Sequence, residues 1–134
     1  MIENDTFSLF HDQENDILIQ RWYGHLTEEG YKNNMHWLVE WIIKRAPIKN
    51  SLVYPHIDFP IPPDLQEWTL THVFLPTANK GFLKAAFIIP EEMNGKIDIN
   101  LLSVEQTMDE SEGLFETRYF IREEDARAWF ASAH

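Results

Sequence analysis

Three features of the sequence predict an α/β fold, a mixed, mostly parallel sheet with helices packed on it. Apolar residues recur alternately at period two and at helical spacing along the whole chain. This alternation follows an opening hairpin. One segment, "KAAFII", is an almost uninterrupted apolar run, the pattern of an interior parallel strand covered on both faces. Strands alternating with helices imply right-handed crossovers, which lay successive strands in one sheet with the helices against it. The predicted order is ββαβαβαβα, in a single domain over residues 1–134.

The elements follow in order. "TFSLFHD" and "DILIQRWYG" alternate apolar and polar residues around the polar "QEN", which makes a hairpin, and Gly24 ends its second strand. Thr27 followed by Glu28 and Glu29 is a helix start. Tyr31, Met35, Leu38, Val39, Ile42, Ile43 and Ala46 then recur at helical spacing until Pro47. "SLVYPHI" is a buried strand, and "PPDLQEWTLTHVFL" a helix with proline near its first turn, where the missing N–H costs little. Pro76 and Gly81 are expected to close it. After "KAAFII" and Pro90, "NGKIDINLLSVEQTM" fits a strand through Ile97, Ile99 and Leu101 or a helical stripe through Ile97, Leu101, Val104 and Met108; the helix is favoured. "DESEG" is a solvated acidic loop, "LFETRYFI" a strand, and "REEDARAWFASAH" a short helix burying Ala126, Trp129 and Phe130.

Composition bounds the function. The chain of 134 residues is 44% hydrophobic with five Trp, nine Phe and four Tyr, enough apolar surface to fold around one core. Eleven basic against 22 acidic side chains leave a net charge of −11, which repels phosphate backbones and anionic lipid surfaces and argues against nucleic acid. Without cysteine there is neither a disulfide framework nor a thiolate nucleophile, in keeping with a reducing compartment. "MIENDTFSLF" carries acids where a signal peptide has basic residues, and no apolar run approaches membrane-spanning length, so a cytoplasmic protein without an integral membrane segment is expected.

Several phrases, "IQRWYG", "LVYPHIDFP", "LQEW", "KAAFIIP", "SVEQTM" and "ETRYF" followed by "EDARAWF", resemble the bacterial SpoIIAA-like proteins, relatives of STAS domains. The resemblance runs from about Phe7 to Phe130 and contains no catalytic signature. It implies a small sheet of four or five strands with helices on it, in a superfamily better known for binding and regulation than for chemistry. In STAS antagonists the loop after the central strand carries a phosphorylatable Ser beside an Asp. The corresponding "HIDFPIPPD" offers Asp58 but no hydroxyl between Ile57 and Gln66, so no residue here takes the phosphoserine role. Thr69 lies a turn or more into the following helix, away from the N-terminus that best stabilises anions.

The segment "LVYPHIDFPIPPDLQEW" gathers the candidate residues His56, Asp58, Phe59 and Glu67. Open α/β sheets place ligands at the carboxyl ends of strands, which makes this loop the best candidate surface. His56 and Asp58, two apart at a strand end, share a face, and His72 is a conceivable third metal ligand. H-x-D is nevertheless common by chance and a site needs at least three converging groups, so no metal or cofactor is assigned. For Asp58 the plainer role is to accept backbone N–H bonds and fix the proline-rich turn. Glu28, Glu29, Glu123, Glu124 and Asp125 lie in first turns of helices, where acids complement the macrodipole.

Trp37 and Trp41 fall one above the other on the first helix, more than about 100° from the centre of its apolar stripe. Either the C-terminal helix covers them through Trp129 or Phe130, or they stay exposed as part of an interface. The sequence therefore supports first a non-enzymatic, regulatory SpoIIAA-like module that binds a protein partner or a second copy of itself as a homodimer. The alternatives are a binding protein for a small apolar or lipid-like ligand held between helices and sheet, and an enzyme using the His56, Asp58 and Glu67 region.

Overall fold

The computed structural model describes residues 2–93 and 98–132. They form an α/β fold with a mixed sheet in the order β1-β2-β3-β4-β5-β6. The strands are β1 (Ile2–Glu3), β2 (Phe7–Asp12), β3 (Ile17–Gly24), β4 (Asn50–Ile57), β5 (Lys84–Ile88) and β6 (Glu116–Phe120). The helices are α1 (Glu28–Lys44), α2 (Pro63–Thr69), α3 (Leu75–Asn79), α4 (Ile99–Asp109) and α5 (Glu123–Ala131). The pairings β1-β2 and β2-β3 are antiparallel; β3-β4, β4-β5 and β5-β6 are parallel. With β1 the sheet has six strands instead of four or five, because two residues are too few to show a period in sequence.

The hairpin forms as expected, with Phe7 opposite Trp22 and Asp12 opposite Ile17. Its turn is held by Asp12, whose carboxylate accepts from the Asn15 backbone N–H and side-chain amide at 3.3 and 2.9 Å. Asp16 takes φ 53°, a left-handed conformation that Asp tolerates. Gly24, at φ 76°, turns the chain out of β3. Thr27 caps α1, its hydroxyl accepting from Gly30 N–H at 3.0 Å. The buried positions of α1 are Tyr31, Asn34, Leu38 and Ile42, with Met35 half-buried. Ile43 is 40% exposed and Ala46 exposed, so neither belongs to the stripe; Ile43 is rotated about 100° from Ile42. Asn34 is tolerated in the core because its side chain accepts from Asn4 at 2.9 Å and donates to the Thr6 hydroxyl at 3.0 Å.

The helix after the proline-rich loop does not stop at Pro76. A π turn, Leu70–Phe74, joins α2 to α3, and the helical run continues to Asn79. The wider hydrogen-bond spacing before Pro76 accommodates its missing N–H and eases the approach of its ring to the carbonyl four residues back. Gly81, at φ 95°, then ends the run. The ambiguous segment is helical: Asp98 caps α4 by accepting from Leu101 N–H at 2.8 Å. Its buried face is Ser103, Val104 and Thr107, with Leu101 and Met108 half-buried; Ile97 of the expected stripe lies outside the described residues.

Alternate residues of the same strands point to opposite faces and build two apolar clusters. On one face Leu18, Val53, Ala85 and Phe87 pack with Tyr31, Leu38 and Ile42 of α1, Leu65 of α2 and Val104 of α4. On the other, Ile17, Ile19, Leu52, Ala86 and Ile88 pack with Ala126 and Trp129 of α5. The C-terminal helix is thus on the far side of the sheet from α1, and Trp129 and Phe130 do not cover Trp37 and Trp41.

Candidate functional site

Between the first face of the sheet and its helices lies a cavity of about 80 Å³. Its lining comes from β3, β4 and β5, from α1 and α4, and from the π turn through Val73 and Phe74. Ile57 at the end of β4 and Ile61 of the proline-rich loop close one side. Four polar side chains also face this space, and each is already engaged. Gln20 accepts from the Trp22 indole at 3.1 Å and donates to Ser51 at 2.7 Å, and Ser51 donates onward to Leu18 C=O at 3.0 Å. The Tyr31 hydroxyl lies 2.7 Å from that of Thr69, which donates to Leu65 C=O. Thr77 and Thr107 donate to the carbonyls of Val73 and Ser103, each at 2.7 Å. Burial raises the Tyr31 pKa strongly against the weaker opposing effect of Thr69, keeping the phenol neutral.

The loop residues singled out from sequence are not gathered into one cluster. Asp58 is 75% exposed at its side chain and pairs with His25 Nδ1 at 3.3 Å, while its own N–H donates to Gly24 C=O. Its carboxylate does not fix the proline-rich turn. That task falls to Ser103, whose hydroxyl accepts from Ile61 N–H at 2.8 Å, and to Gln66, which donates to Ile61 C=O at 2.9 Å. His56 is exposed and sits edge-on to Tyr54 at 6.3 Å, Tyr54 belonging to the cluster on the α5 face. Phe59 packs half-buried beside Tyr31 at 6.2 Å. Glu67 is exposed on α2. His72 stacks on Trp68 at 4.7 Å rather than approaching His56. Among the described residues no three His, Cys, Asp or Glu side chains form a group that could hold a metal ion.

Trp37 is 39% exposed and Trp41 half-buried. Trp41 meets the His11 ring edge-on at 5.4 Å, and the Arg45 guanidinium lies 4.2 Å over its ring. With Glu40, Lys44 and Arg45 the two indoles line a shallow groove of about 230 Å³. A second aromatic cluster centres on Trp68, which is flanked by the His36 ring at 5.4 Å and approached by the Lys32 ammonium at 5.5 Å.

On the α5 face, Tyr54 donates to Glu123, Arg127 bonds both Glu123 at 2.9 Å and Asp12 at 3.3 Å, and Arg21 lies 4.2 Å over the Tyr54 ring. Burial and the neighbouring Glu123 push the Tyr54 pKa up to about 12. The Tyr54 hydrogen bond holds Glu123 below its ordinary value, with Arg127 adding to the effect against partial burial. The helix dipole accounts for Glu123 in sequence, but its strand partner is invisible there, since Tyr54 lies 69 residues away. Among the described residues no helix is long and apolar enough to cross a membrane. Compared with family models, curated proteins and solved structures, the chain matches none.

Proposed function

We propose that this chain is a non-enzymatic, regulatory SpoIIAA-like and STAS-like module that acts by binding a protein partner, a second copy of itself being the simplest one. The observation that carries this reading is the α1 groove, where Trp37 is partly open to solvent beside Trp41. Indole side chains concentrate in the centres of protein interfaces. Glu40 and Lys44, exposed and paired with each other along the helix at 2.7 Å, can exchange partners across a two-fold contact. The dispersal of His56, Asp58 and Glu67 among separate contacts favours binding over catalysis. Kinship with SpoIIAA-like proteins is supported by the order of elements and the phrases that resemble that group. Sedimentation velocity of the whole chain tests the proposal. A dimer that Trp37→Ala dissociates into folded monomers is expected, with a melting temperature that no longer depends on protein concentration. A strict monomer at every concentration, together with no protein captured through a Trp37-dependent contact, overturns it.

A second reading, binding of a small apolar ligand, is favoured by the cavity under the proline-rich loop. Native mass spectrometry of the purified chain is expected to show a bound apolar compound, and its loss on organic extraction.

A further inference from the structure

We infer that the cavity beneath the π turn is a site for a compact, wholly apolar molecule, a short hydrocarbon or a single small ring, and not for a lipid with a polar head. The inference rests on the small-ligand reading and narrows its ligand class. Size is the first argument. At about 80 Å³ the cavity has roughly half the volume of an engineered apolar cavity of about 150 Å³ that binds benzene or xenon. It falls well below the range of about 300–1,000 Å³ usual for drug-sized ligands. An acyl chain of lipid length does not fit.

The lining chemistry is the second argument. A polar head needs a free donor or acceptor within the site, and a resident water needs two to four polar partners. Gln20, Tyr31, Thr77 and Thr107 spend their hydrogen bonds on Trp22, Ser51, Thr69, Val73 C=O and Ser103 C=O. The hydroxyl hydrogens of Tyr31, Thr77 and Thr107 are committed, and what is left facing the cavity is oxygen lone pairs and one Gln20 N–H, too few donors to seat a carboxylate or phosphate head, whereas an apolar molecule disturbs none of these bonds. Such a ligand gains dispersion contacts with groups that the cavity leaves without neighbours.

The third argument is the wall itself. Val73 and Phe74 reach the cavity from a π turn, a helix irregularity that recurs at functional sites. Half-buried Met35 and Met108 stand in the lining at the α1 and α4 sides, unbranched side chains able to shift rotamer around an entering molecule.

Xenon and benzene are the probes. In methyl NMR spectra of the whole chain, dissolved xenon is expected to shift the Val53, Ile57, Val73 and Val104 methyls saturably, while exposed methyls such as those of Leu83 stay still. Ala85→Leu should fill the space and abolish these shifts. Val104→Ala should enlarge it, so that xenon shifts grow and benzene raises the melting temperature of that variant. Absence of saturable cavity shifts in the wild-type chain overturns the inference, as do undiminished shifts in a folded Ala85→Leu variant. If Ala85→Leu does not fold, the Val104→Ala arm decides: no gain in benzene response overturns it. A co-purified long-chain lipid that contacts these methyls also overturns the compact class, but leaves the ligand reading standing. Saturable xenon shifts with no co-purified compound uphold the site and place the failure on the ligand reading.

Discussion

At the scale of single residues, exposure separates side chains that look equally important in sequence. The Asp58 pair with His25 is open to water on both sides, so its Coulomb energy is screened and Asp58→Ala is expected to cost about 1 kcal/mol at most in a thermal melt. Ser103 is buried and its hydroxyl is the acceptor for Ile61 N–H; Ser103→Ala leaves that donor without a partner and should cost about 1–3 kcal/mol. Glu123 shows how such contacts act on pH dependence. Its folded pKa lies below its ordinary 4.5, so its contribution is complete above the unfolded value and is lost as pH falls through the folded one. Chemical denaturation between neutral pH and pH 3 should therefore show a shallower acid-side loss of stability in Glu123→Gln than in the wild-type chain. Equal slopes would mean that the Tyr54 and Arg127 contacts do not persist in solution.

At the scale of elements, the termini of the helices decide where each begins. Thr27 satisfies one of the unpaired N–H groups of α1, and Thr27→Ala should cost about 1 kcal/mol with no change in the far-ultraviolet signature of the folded state. An unchanged melting temperature would show that Glu28 and Glu29 stabilise the first turn sufficiently on their own. The α2, π and α3 run is held at its start by Pro63 and by Gln66, and bends its hydrogen-bond pattern ahead of Pro76. Proline in this place reshapes the helix instead of ending it, because the π turn absorbs the change of register before the ring is reached.

At the scale of the whole molecule, the sheet separates two apolar clusters that share strands but not neighbours. Leu38 belongs to the cluster under α1 and Leu52 to the one under α5. Each is nearly or fully buried, so Leu38→Ala and Leu52→Ala should each cost about 2–5 kcal/mol in denaturant titrations. Without shared contacts, their effects in the double variant should add within about 0.5 kcal/mol. A large coupling energy would instead reveal strain passed through β4, whose Leu52 and Val53 face opposite sides.

The local signals in the sequence, period, caps and turn residues, determined the hairpin, α1 with its Thr27 start and the interior strand β5, while for α4 they left helix and strand both open. These depend on neighbours a few residues apart, and the chain carries that information directly. Tertiary structure alone decided which groups met. Asp58 found His25 from β3's far end, the proline-rich turn was fixed by Ser103 some forty positions on, and Tyr54 closed on Glu123 across 69 positions. It also placed α5 behind the sheet, leaving Trp37 open, and set the helices far enough from the strands to leave a cavity between them. The physical reason is that hydrogen-bond partnership and packing volume are properties of the space between elements, and sequence periodicity states which face of an element turns inward without stating what it meets there.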